Sequence, residues 1–271
     1  MNIPSNISIF KNAVIPLVNR LLRSGRYGWS GNYSSWKEAV SNSGGYEQEG
    51  ILHKVKHASL KVKNGEAIYE RDSVLFDKTE YSWPLLSILM WLAAKNNGFL
   101  SVIDFGGSLG STYYQNRTFL SDLKEVKWNV IEQENFVECG SADFSDSTLQ
   151  FFSSIRESID ARGMPDILII SCTLPYLEKP YEFIQQFFQY KIPYLVIDNT
   201  PFNYQDFDRI TIQKIHPAIY EASYPCWFLN YNKVKDKLQQ RYSLMEEYQN
   251  ELYIYLDGHK IQYRGLLAQL K

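Results

Sequence analysis

One run constrains this 271-residue chain more than any other: Leu100-Ser-Val-Ile-Asp-Phe-Gly-Gly-Ser-Leu-Gly110, apolar up to Asp104 and glycine-rich after it. An apolar segment that ends in an acid and then in glycines reads as a buried strand turning sharply into a helix N-terminus, with backbone that can approach a ligand. Gly106, Gly107 and Gly110 supply the turn, and residues 111–123 supply the helix. A second apolar run, Trp128-Asn-Val-Ile131, ends in Glu132. In a doubly wound α/β fold, an acid roughly 20 residues past the glycines accepts hydrogen bonds from ribose hydroxyls.

The ligand class follows from what the loop lacks. Its spacing is Gly-Gly-x-x-Gly, with Ser108 where the dinucleotide fingerprint has the bare glycine that a pyrophosphate needs. Asp104, next to the loop, would repel a pyrophosphate and suits a positively charged ligand end. S-adenosylmethionine, a nucleoside carrying a sulfonium and no phosphate, meets both conditions. It is the expected cofactor.

Strand and helix patterns alternate from residue 100 onward, which predicts a parallel sheet with helices on both faces. The expected strands continue at 150–152, 166–170 and 194–197, the last ending at Asp198, with helices over 181–189 and 233–242. Two late segments with strand character, 244–256 and 260–267, flank Asp257-Gly258, a reversing-turn dipeptide that predicts an antiparallel hairpin. Residues 1–98 read instead as a helical and irregular N-terminal cap, leaving 99–271 as the core. Within the cap, Ser35-Trp-Lys-Glu38 matches a capping box, Ile51, Val55, Ala58 and Val62 form a helical stripe, and Pro84 opens an apolar helix to about Lys95.

With 45% hydrophobic residues the chain can bury one sizeable core, and a net charge of −2 argues against general nucleic-acid binding. Cys139, Cys172 and Cys226 have no paired or metal-ligand spacing, which predicts reduced thiols and a cytoplasmic setting. No apolar run has the length of a membrane span or the pattern of a signal peptide. No acid precedes Glu38, whereas Lys11, Arg20, Arg23 and Arg26 are basic, and Phe10, Val14, Leu17, Val18, Leu21 and Leu22 share a helical face. That face is expected to pack on its own domain. Peripheral contact with an anionic membrane is the alternative.

Several longer motifs carry a resemblance. They are Tyr27-Gly-Trp-Ser-Gly-Asn-Tyr33, Tyr69-Glu-Arg-Asp-Ser-Val-Leu-Phe-Asp77, Tyr81-Ser-Trp-Pro84, the glycine loop continued to Gln115, Val130-Ile-Glu-Gln133, Ile197-Asp-Asn-Thr-Pro-Phe202, Arg209-Ile-Thr-Ile-Gln213 and Ile219-Tyr-Glu-Ala-Ser-Tyr-Pro225. From about Tyr27 nearly to its C-terminus the chain resembles the class I S-adenosylmethionine-dependent methyltransferases of bacterial capsule and O-antigen gene clusters. The resemblance implies a Rossmann-like, seven-stranded, mostly parallel sheet closed by a C-terminal antiparallel hairpin. It implies methyl transfer to a hydroxyl of a sugar or nucleotide-activated sugar. Asn199 and His216 depart from the family pattern, which more often has arginine and proline there. An amine acceptor, or a non-catalytic relative serving a partner enzyme, are the alternative functions.

In open α/β sheets the ligand lies beyond the carboxyl ends of the strands. Asp104, Gly106, Gly107, Ser108, Gly110, Glu132, Gln133 and Ser171 are accordingly the expected cofactor residues, and Asp143 is a further candidate for the adenine amino group. Tyr176, Asn199 and Phe202 would face the acceptor, with Tyr81 and Trp83 as a stacking wall. For deprotonating a hydroxyl the candidates are His216, whose imidazole titrates near neutrality, and Asp198. No metal is expected. Asp198-Asn199 is similar to the pair in magnesium-dependent catechol-type methyltransferases, but Ser171-Cys172 stands where those enzymes have an aspartate. His53 and His57 have zinc-pair spacing without a third ligand, and read as a solvated helix face.

Overall fold

The structure, a computed structural model, describes residues 27–44, 48–217 and 219–271. Its centre is a seven-stranded sheet in the order β11-β12-β8-β7-β4-β5-β6. Strands β4 (Phe99–Phe105), β5 (Glu125–Ile131), β6 (Leu149–Phe152), β7 (Ile167–Ser171) and β8 (Tyr194–Pro201) are mutually parallel. β12 (His259–Leu270) runs antiparallel to β8, and β11 (Tyr242–Leu256) antiparallel to β12. Counted from β4 in chain order, the sheet reads 3-2-1-4-5-7-6. This is the α/β Rossmann-like class I methyltransferase fold, with its C-terminal hairpin.

The parallel strands are buried on both faces, so they read as nearly continuous apolar runs. Val102, Ile167 and Ile169 point into one core with Leu89, Leu92, Trp128 and Phe144. Their neighbours Ile103, Leu168 and Ile170 point into the other with Phe187, Leu195 and Ile197, as the two-residue period of a strand requires. Helices α3 (Trp83–Lys95), α4 (Ser111–Leu120), α5 (Glu134–Asp143), α6 (Ile155–Arg162), α7 (Pro180–Phe187) and α8 (Tyr231–Gln239) fill the connections.

The N-terminal segment is not purely helical. α1 (Trp36–Ser41) forms where the capping box falls, with Glu38 N donating to Ser35 Oγ, and in α2 (Gln48–Lys63) the stripe Ile51, Val55, Ala58, Val62 is buried. Residues Gly28–Tyr33, however, form strand β1, which pairs antiparallel with β9 (Arg209–Lys214), itself paired with β10 (Ser223–Phe228). The partner of β1 lies some 180 residues away, so its strand state comes from tertiary pairing rather than a local pattern. β2 (Tyr69–Arg71) and β3 (Val74–Phe76) form a small hairpin. The basic, apolar-faced segment 10–26 lies outside the described residues. No described helix is long and apolar enough to cross a membrane.

β8 ends opposite Tyr263, and the β11–β12 hairpin continues past that point as an arm on the ligand side of the sheet. Its turn is clamped by Arg209, which pairs with Asp257 and donates from Nε to the Gly31 carbonyl of β1, 2.8 Å. The arm thereby joins the two sheets.

Candidate functional site

The glycine loop is shaped first by the protein's own packing. A Cβ on Gly106 would stand 2.4 Å from Thr173 Oγ1, and one on Gly107 would stand 2.6 Å from the Asp104 carboxylate. Gly106 is also at φ +72°, and Gly110, at φ +90°, caps the N-terminus of α4. Asp104 is only 1% exposed and accepts from Trp128 Nε1 at 3.1 Å, so it holds the loop from beneath. Burial pushes its carboxyl up to about 7, with the nearby Glu132 adding to the effect against hydrogen bonds from Trp128 and Thr112.

Glu132, just past the end of β5, is oriented by two backbone amides. Ser108 N donates to Oε1 at 3.1 Å and Gln133 N to Oε2 at 2.9 Å. Ser108 reaches this geometry at φ +54°, in the left-handed region. One bond to each oxygen leaves acceptor capacity on both, the donor-hungry arrangement that two vicinal ribose hydroxyls satisfy. Desolvation raises this carboxyl as well, against those two amides. Gln133 is exposed at the N-cap of α5. The residues present therefore fit a nucleoside. Asp143, at the far end of α5, forms an ion pair with Lys56 at 2.7 Å.

At the ends of β7 and β8 the backbone is unusual twice, with Cys172 at φ +56° and Asn199 at φ +45°. Asp198 has no exposed surface. Its Oδ1 accepts from Tyr248 Oη (2.9 Å), Asn250 Nδ2 (2.9 Å) and Ser82 Oγ (3.3 Å), and its Oδ2 from Asn199 Nδ2 (2.9 Å) and, weakly, Ser171 Oγ (3.5 Å). A carboxylate so enclosed ties α3, β7, β8 and β11 together. Burial raises its carboxyl, with those donors opposing. His216 is half-buried, following β9 of the three-stranded sheet, and its ring packs tilted on Tyr27 at 4.6 Å.

The acceptor candidates separate. Tyr176 is exposed, donates to Gln213 Oε1 at 2.7 Å and packs edge-on against Tyr224 at 5.6 Å. Phe202 is 4% exposed and packs on Tyr231, so it belongs to the core and does not wall a pocket. Tyr81 and Trp83 form a cluster with Phe119, centroids 4.9 to 6.3 Å apart, at the start of α3. Sequence reasoning missed Tyr248 and Asn250, whose partner Asp198 lies some 50 residues upstream.

No family model matches the chain, and no curated protein matches it. Among solved structures, it is similar to 1,6-didemethyltoxoflavin-N1-methyltransferase of Burkholderia thailandensis with bound 1,6-didemethyltoxoflavin and S-adenosylhomocysteine, at 10% identity and TM-score 0.46, covering 90% of this chain and 94% of that one. The glycopeptide N-methyltransferase MtfA complexed with S-adenosylmethionine matches at 9% identity and TM-score 0.48, over 69% of this chain and 94% of that one. The N-terminal domain of EvdMO1, in the presence of SAH and D-fucose, matches at 10% identity and TM-score 0.44, over 83% and 98%. Likenesses this distant carry no argument about activity, and the fold assignment stands on the chain's own strand order.

Proposed function

We propose that this chain is an S-adenosylmethionine-dependent methyltransferase acting on a hydroxyl of a sugar or nucleotide-activated sugar. The observation that carries the cofactor is the Glu132 carboxylate, held open by the Ser108 and Gln133 amides beside the glycine loop. In this reading Glu132 takes the ribose, Gln133 borders the base, and the loop from Gly106 to Gly110, with Ser171 across from it, lies along the methionine end. The cofactor supplies an electrophilic methyl group. The chain's task is to hold the acceptor in line with it. The acceptor class, and a role in surface-polysaccharide synthesis, rest on the motif resemblance. An amine acceptor is the second reading, favoured by the enclosure of Asp198, since a neutral amine needs no base.

Calorimetry with S-adenosylmethionine tests the cofactor. Losing a charged acceptor costs about 1.5 to 3 kcal/mol, so Glu132→Ala should bind very roughly 10- to 150-fold more weakly. Unchanged affinity in a folded variant removes Glu132 from the site. A screen of nucleotide sugars with labelled donor, read by mass increase, tests the acceptor.

A further inference from the structure

Consecutive residues of a strand point to opposite faces of a sheet. Towards the end of β8 that alternation breaks: Asp198 and Asn199 turn their side chains together, and Asn199 Nδ2 donates to Asp198 Oδ2 at 2.9 Å. The backbone of Asn199 makes the break, in the left-handed region at φ +45°. Two neighbouring segments hold it there. The Asn199 carbonyl accepts from Cys172 Sγ, just after β7, at 3.0 Å, and Asn199 Oδ1 accepts from Asn250 Nδ2, on β11, at 2.5 Å. Asn250 is aimed at this point by a bulge. Gln249 pairs with Arg264 and Tyr253 with Gln262, so residues 250–252 stand opposite Tyr263 alone, and Gln262 Nε2 donates to the Asn250 carbonyl. Such a bulge turns a side chain out of the strand's alternation. The Asn250 Nδ2 group also donates to Asp198 Oδ1, at 2.9 Å.

A chain of contacts leads from here to the glycine loop. Thr173, the residue after Cys172, packs its hydroxyl against Gly106 and donates to the Phe105 carbonyl at 3.2 Å. β8 is the second strand from β4, so at about 4.8 Å per strand Asn199 stands on the order of 10 Å from the loop, on the ligand side of the sheet. One small acceptor molecule can meet both. Asn199 is half-buried, whereas Asp198 and Asn250 are buried. A carboxamide carries two N–H donors and an oxygen with two lone pairs. Asp198 takes one donor and Asn250 one lone pair, which leaves Asn199 one of each. The carboxylate directly behind it disfavours an anionic ligand group and leaves a neutral one.

We propose that Asn199 selects the acceptor by holding a neutral hydroxyl of its sugar ring through the carboxamide, and that Asn250 is the positioning residue that orients this carboxamide. The inference rests on the methyltransferase reading with a sugar acceptor. A hydroxyl both donates and accepts, so it suits the two unused groups of Asn199. The tether from the bulge fixes which way the oxygen and nitrogen face before the sugar arrives, and that ordering is then not lost from the binding free energy.

Asn199→Gly isolates the side chain, because glycine takes the left-handed backbone without strain. Calorimetry on the full chain with S-adenosylhomocysteine bound uses UDP-glucose, UDP-galactose, GDP-mannose and dTDP-rhamnose as probes. The wild type should bind at least one of them. Asn199→Gly should bind it about 5- to 10-fold more weakly, the effect of one or two neutral hydrogen bonds, with affinity for S-adenosylhomocysteine within about twofold. Asn250→Ala should weaken the sugar by a similar factor alone and add nothing in the Asn199→Gly background, since it acts through Asn199. Where Asn250→Ala does not fold, Asn250→Ser takes its place. Additive losses overturn the positioning role of Asn250. Unchanged sugar affinity in Asn199→Gly, or an equal loss of S-adenosylhomocysteine, overturns the proposal and leaves the sugar-methyltransferase reading standing. A wild type that holds S-adenosylhomocysteine and none of the four sugars overturns it together with the sugar acceptor, and one that holds neither removes the methyltransferase reading as well.

Discussion

Asp104 sits beneath the loop it introduces, and its carboxyl, pushed up to about 7 by burial, makes stability depend on pH. The unfolded chain releases this proton near pH 4, whereas the folded protein keeps it to about pH 7. The folded state thus binds more protons across that window, and its stability falls as pH rises through it, by at most about 1.4 kcal/mol per pH unit for this one group. Asp104→Asn carries no titrating proton and can still accept from Trp128. Thermal denaturation between pH 5 and 8 should show the wild-type melting temperature declining with pH and the variant's declining less. Glu70, Glu132 and Asp198, also raised by burial, keep some slope in the variant. Equal slopes in the two proteins would show that Asp104 ionises normally. The sequence made Asp104 and Glu132 legible because both stand at strand ends beside a glycine loop. It did not reveal that Asp104 is enclosed, since that depends on Trp128 from the neighbouring strand.

Among the elements, the β2–β3 hairpin has little core of its own and depends on its seat. Glu70 is 3% exposed and receives the Ser111 hydroxyl and, at 3.3 Å, the Ser73 amide. Removing one donor to a buried carboxylate costs about 1 to 3 kcal/mol. Ser111→Ala should therefore loosen the hairpin locally. Hydrogen exchange is expected to speed up over residues 69–76, with the amides of β4 and β7 as slow as in the wild type. Unchanged exchange in the hairpin would mean that the Glu70–Ser111 contact does not hold it. Strands and helices with strong periodicity, such as β4, β5, β8 and α3, were readable along the chain within a few residues. β1, β9 and β10 were not: β1 owes its state to β9, some 180 residues away, and β9 is the central strand that holds both β1 and β10.

For the molecule as a whole, the arrangement at the ends of β7 and β8 bears on metal chemistry. Ser171 and Cys172 occupy the end of β7, both oxygens of Asp198 are taken by protein donors, and no cluster of metal-ligating side chains occurs among the described residues. A hard cation needs several charged oxygens. Turnover should therefore survive prolonged chelation; loss on chelation with recovery on adding magnesium would overturn that expectation. By itself the sequence determined the apolar strands, the loop glycines, the acid after β5 and the turn at Asp257-Gly258, all features set by residues adjacent in the chain. Only the tertiary structure decided that Gly28 to Tyr33 joins β9, that Asp198 is an anchor and that Phe202 is core. Those outcomes depend on which distant segments meet: burial and hydrogen bonding saturate some polar groups and leave others with acceptor capacity, and no local pattern records the difference.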